Sequence, residues 1–168
     1  MSQIKVNSIV PAGGLPSGSN GGILQVVQTV KTDTFSSNAT GFTDITGMSA
    51  TITPSSNSNK ILVETCLYIA SAGGGSTTKI NFVRGSTNIG QPTGSSVAHQ
   101  ASFMHFFGGV NMAPFTMNFL DSPATTSATT YKLQMGKDNT STETFINRYH
   151  GADNYHAIST LTLYEVTV

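Results

Sequence analysis

Charge is what this sequence has least of. Asp, Glu, Lys and Arg make up 10% of its 168 residues, against about 25% in typical soluble domains. The formal net charge is zero, so no colloidal repulsion keeps copies apart, and such chains tend to associate. Eight scattered Lys and Arg residues cannot build the basic stripe that phosphate contacts need, which argues against a nucleic-acid partner. Cysteine occurs once, so an internal disulfide and a Cys-x-x-Cys pair are both excluded. Cys66 lies in the apolar run Ile61 to Ala70 and is expected to act as a small buried hydrophobe rather than a reactive thiol. No apolar run approaches the ~20 residues of a membrane span, so membrane insertion is not expected. Met1 to Val10 lacks the basic start and apolar centre of a secretory signal, and synthesis and folding in a cytoplasm is the expectation.

Catalytic constellations are equally scarce. There is no Gly-x-Ser-x-Gly elbow and no phosphate-cradling Gly-x-x-x-x-Gly-Lys. Gly73-Gly74-Gly75 is followed by strand-forming rather than helix-forming sequence, which makes it a turn. Asp121 belongs to an Asp-Ser-Pro turn signal, while Glu64 and Glu165 sit in strand-like runs with no acidic neighbour, so the carboxylate pair that glycoside cleavage uses is missing. The expectation is a non-enzyme that needs no cofactor.

Hydroxyls supply the polar surface that charge does not, with 24 Thr and 20 Ser in the chain. The first segment, Met1 to Gly22, joins an alternating apolar stretch to a linker rich in Pro and Gly, which forms neither a helix nor a central strand. It is expected to be an extended attachment arm, with Ile4, Val6, Ile9, Val10 and Leu15 as its contacts.

From Ile23 to Val168 short β-branched runs alternate with turn clusters, and helical periodicity is absent. The expected strands include Ile23 to Lys31, Phe42 to Ile45, Met48 to Thr53 and Lys79 to Arg84. Ile61 to Ala70 is apolar enough for a sheet centre. Phe115, Met117 and Phe119 alternate with Thr116 and Asn118, Tyr131, Leu133 and Met135 share one face, and Leu161 and Leu163 oppose Tyr164 and Val166. About eight to ten strands at this spacing predict an antiparallel β-sandwich, jelly-roll-like in topology. Phe103, Phe106, Phe107, Phe115 and Phe119 are expected to divide between core and subunit interface.

Histidines occur in pairs six apart, His99 with His105 and His150 with His156. Residues six apart along one strand lie ~20 Å from each other, too far to share an ion, so no metal is expected. The clusters Arg148-Tyr149-His150 and Asn154-Tyr155-His156 place amphipathic rings on a loop. Tyr149, His150, Tyr155 and His156 are therefore the candidates for facing a ligand, a sugar being the kind that aromatic rings hold, with packing at strand ends as the alternative.

Several stretches are similar to small virion proteins in phages of marine and cyanobacterial hosts. They are Ile4-Lys5-Val6-Asn7-Ser8-Ile9-Val10-Pro11, Gly21-Gly22-Ile23-Leu24-Gln25-Val26-Val27-Gln28-Thr29-Val30-Lys31-Thr32 and Leu120-Asp121-Ser122-Pro123, together with Phe42-Thr43-Asp44-Ile45-Thr46-Gly47-Met48, Ile52-Thr53-Pro54-Ser55-Ser56 and Ser159-Thr160-Leu161-Thr162-Leu163-Tyr164-Glu165-Val166. Gly85 to Met112 has no counterpart among them. The resemblance implies a fibre, spike or decoration component of a virion with an N-terminal attachment segment and a homotrimeric β-domain, partnered by other virion proteins and, where it recognises a host, by a surface glycan. Members of that kind occur on heads and on tails.

Overall fold

Alternation of apolar and polar residues along short strands allows each strand to bury one face only, and two such sheets must then close on each other. The computed structural model, which describes residues 22–93, 100–107, 111–138, 142–151 and 154–167, shows that arrangement. The described residues contain β1 (Ile23–Lys31), β2 (Phe35–Ser37), β3 (Thr43–Ile52), β4 (Lys60–Ser71), β5 (Ser76–Arg84), β6 (Thr87–Ile89), β7 (Phe103–Phe107), β8 (Met112–Asp121), β9 (Thr129–Lys137), β10 (Thr144–Ile146) and β11 (Ser159–Val166). The arm residues Ile4, Val6, Ile9, Val10 and Leu15 lie outside the described residues, as does His99.

Every pairing is antiparallel. One sheet runs β1-β11-β4-β8, with β10 and β2 continuing beside the far half of β4, and the other runs β3-β9-β5-β7, with β6 sharing the edge of β5. Take the eight principal strands β1, β3, β4, β5, β7, β8, β9 and β11 in chain order. The sheets then contain the first, eighth, third and sixth of them, and the second, seventh, fourth and fifth. That order is a pair of Greek keys wrapped into a jelly roll.

The centre of the larger sheet is β4, bordered by β8 along Ile61 to Ala70 and by β11 along Lys60 to Cys66. Its inward residues Ile61, Val63, Leu67 and Ile69 join Leu161 and Leu163 of β11. They pack against Ile45, Met48 and Ile52 of β3, Ile80 and Phe82 of β5, and Leu133 and Met135 of β9. Each such side chain contributes roughly 1.5–3 kcal/mol by leaving water. Pro114 is tolerated within β8 because that strand pairs on one side only, with β4, among the described residues.

Three local expectations are corrected. Phe42 to Ile45 and Met48 to Thr53 are not separate strands: β3 runs through both, and its register against β9 shifts between Asp44 and Ser49, where Gly47 takes φ 81°, as a bulge requires. Asp121 is not a turn residue but the buried last residue of β8. Cys66 is half-buried on the outward side of β4, between Thr160 and Thr116, because the inward phase of that strand belongs to Thr65 and Leu67.

The outer faces of the two sheets differ. On the smaller sheet the outward residues of β5, Lys79, Asn81 and Val83, are all buried. Gln91 and Ser102 reach over them, each donating to Asn81 Oδ1 at 3.2 Å. On the larger sheet an apolar row crosses four strands in register, from Val26 to Tyr164 to Leu62 to Leu120. Its end members Val26 and Leu120 are 54% and 47% exposed. The next row, Gln28, Thr162, Glu64 and Asn118, is polar throughout.

Candidate binding surface on the aromatic loop

The candidate ligand-facing residues fall in the connection between β10 and β11, and Asn147 sets its course. Asn147 has φ 63°, a left-handed conformation that asparagine accepts more readily than most residues. Its buried amide Nδ2 donates to the backbone oxygens of Lys31 at 2.8 Å and Asp33 at 3.0 Å, and its Oδ1 accepts from Ser159 Oγ at 2.6 Å. Its backbone N–H donates to Tyr68 O, and its own carbonyl accepts from Ala157 N–H. One side chain thus fastens both ends of the loop to the larger sheet.

Above this anchor the chain folds back on itself. Arg148 and His156 form an isolated antiparallel bridge, and the Tyr149 N–H donates to Tyr155 O at 3.1 Å. His150 and His156 are therefore not two positions of one strand, as their even spacing suggests; the turn between them breaks that geometry. The His150 ring stacks on Phe145 at 5.6 Å, and the Arg148 guanidinium lies over the same ring at 4.3 Å. Both cover the outward side of β10.

Tyr149 and Tyr155 are brought together. Their ring centroids are 6.0 Å apart with the planes at 85°, an edge-to-face pair, and Tyr155 remains 59% exposed. With Asn111 and Met112, at the start of β8, they line an open depression of about 530 Å³, within the roughly 300–1,000 Å³ of small-molecule clefts. None of these four side chains carries a formal charge. Among the four sequence candidates, then, the two tyrosines line the depression, whereas the His150 ring stacks on Phe145 and His156 pairs through its backbone with Arg148. Asn111 and Met112 went unrecognised, since nothing in their local sequence links them to a loop some forty positions later. Among the described residues no group of three His, Cys, Asp or Glu is placed to hold a metal ion.

The buried carboxylates serve elsewhere. Asp121 accepts from Arg84 Nη1 at 2.9 and 2.8 Å and from Tyr131 Oη at 2.7 Å. Burial and the Asp121 carboxylate both push the Tyr131 phenol pKa upward. Glu165 accepts from Gln25 Nε2 at 2.6 Å, from Ser55 N and Oγ at 2.7 Å, and from Asn59 Nδ2. Burial opposes its ionisation, but these hydrogen bonds outweigh it and hold the carboxyl pKa down to about 2.

No protein-family model matches the chain, and no curated protein sequence matches it. Solved structures from infectious bursal disease virus are similar at low identity. The structure of the Gx strain matches at 18% identity over 96% of this chain and 42% of that one, with a TM-score of 0.41. The VP2 subviral particle matches at 16% identity over 95% and 42%, with a TM-score of 0.40. The chain spans about two-fifths of the length of these proteins.

Proposed function

We propose that this chain is a non-catalytic structural component of a bacteriophage virion. It is a projecting fibre, spike or capsid decoration protein, made in the host cytoplasm, homotrimeric, and attached to other virion proteins by Met1 to Gly22. The observation that carries the reading is the apolar row Val26, Tyr164, Leu62 and Leu120 on the outer face of the larger sheet. On the smaller sheet Gln91 and Ser102 cover β5, and the exposed apolar side chains Met104 and Phe106 stand on β7 alone, whereas this row crosses four strands of the larger sheet. An in-register apolar row on a chain of zero net charge favours association between copies. The sequence likeness to small phage virion proteins points the same way, and the carboxylates Asp121 and Glu165 are taken up as hydrogen-bond acceptors.

A second reading, host-glycan recognition, is favoured by the Tyr149–Tyr155 depression and is compatible with the first. Electron microscopy of intact particles labelled with an antibody to the chain tests the structural role. Label on heads or tails is the expected result, and its absence from purified particles contradicts it. Removing Met1 to Gly22 is expected to leave the folded trimer intact and abolish incorporation.

A further inference from the structure

We propose that the Tyr149–Tyr155 depression binds a neutral pyranose, an inference that rests on the glycan-recognition reading and specifies its ligand class. The two rings stand at 85°, the edge of one meeting the face of the other, so together they form a corner with aromatic walls. A pyranose fits such a corner because one of its faces is a patch of C–H groups, which packs on an aromatic face, while its rim carries hydroxyls that need partners. Asn111 supplies a carboxamide that both donates and accepts, and each tyrosine hydroxyl does the same. A purely apolar occupant would leave these groups without partners, at a cost.

The absence of charge in the described lining decides between sugar classes. Acidic sugars are recognised by Arg or Lys through charge-assisted hydrogen bonds, and none of Asn111, Met112, Tyr149 and Tyr155 provides one. The nearest cation in sequence, Arg148, lies over Phe145 at 4.3 Å. The five backbone and side-chain hydrogen bonds of Asn147 fix the loop in advance, so little ordering cost falls on binding.

Saturation-transfer NMR with the methyl glycosides of glucose, galactose and mannose, against methyl glucuronoside, tests the assignment on the full chain. The expected result is saturation of one face of at least one neutral glycoside and none of the glucuronoside. Tyr155→Ala is expected to abolish the signal, Tyr155→Phe to keep it, and Asn111→Ala to weaken binding about tenfold, the loss of one hydrogen bond. Circular dichroism establishes that each variant is folded, which the exposure of Tyr155 favours. Preference for the glucuronoside, lost in Tyr155→Ala, overturns the neutral class while sparing the site. No signal with any glycoside, or binding indifferent to Tyr155→Ala, overturns the glycan reading with it.

Discussion

Asp121 of the larger sheet accepts a hydrogen bond from the hydroxyl of Tyr131, in the smaller sheet, at 2.7 Å. The same carboxylate takes both of its bonds to Arg84 from β5, so one residue clasps β8 to two strands of the opposite sheet. Because the phenol is buried, its removal and the removal of its acceptor differ. Tyr131→Phe deletes one hydrogen bond and is expected to cost about 1 kcal/mol. Asp121→Ala leaves the buried Tyr131 hydroxyl without its acceptor and removes the Arg84 ion pair, while Arg84 keeps its bond to Ser122 O, and is expected to cost about 2–3 kcal/mol. Urea unfolding of the two variants measures this, and equal losses contradict the clasp.

Glu165 gives the fold an acid-side dependence. Its pKa of about 2 in the folded chain lies below the ordinary value of 4.5, so the ionised form stabilises the fold fully above pH about 4.5. That contribution is lost as pH falls through about 2. Glu165→Gln removes it, and the stability gap between wild type and variant is expected to narrow steadily between those pH values. A gap that stays constant with pH contradicts the assignment.

Gly90 follows β6 with φ 63°, and a Cβ there meets the Phe119 ring at 3.2 Å. Gly90→Ala therefore suffers both a left-handed backbone and a crowded aromatic, and is expected to lose more than about 1 kcal/mol. Pairing it with Phe119→Leu is expected to recover part of the loss in thermal unfolding. If the pair behaves additively, the contact is not the cause.

Much of the sandwich was legible because period-2 burial leaves a direct mark in sequence. Tyr131, Leu133 and Met135 share the buried face of β9, and Leu161 and Leu163 that of β11, as their spacing suggested. Failures arose where position depends on distant pairing. Asp121 looks like a turn residue locally, yet Arg84 and Tyr131 hold it in the strand. The phenylalanines divide in part as expected: Phe103, Phe115 and Phe119 pack on the core, while Phe106 stays exposed. Of the site, the tyrosines were visible as a cluster, but the return of the loop through Asn147 was not. A single asparagine carries no periodic signal, and its partners Lys31 and Asp33 lie more than a hundred residues earlier.

The account turns on the outer face of the larger sheet as the contact between copies, and the mass in solution tests it most directly. Light scattering of the full chain is expected to give three times its 17.6 kDa. Val26→Lys with Leu120→Glu charges both ends of the apolar row while keeping the net charge at zero, and the double variant is expected to be a folded monomer by the same measurement and by circular dichroism. A monodisperse wild-type monomer at micromolar concentration, or a trimer that the two substitutions leave intact, contradicts the account.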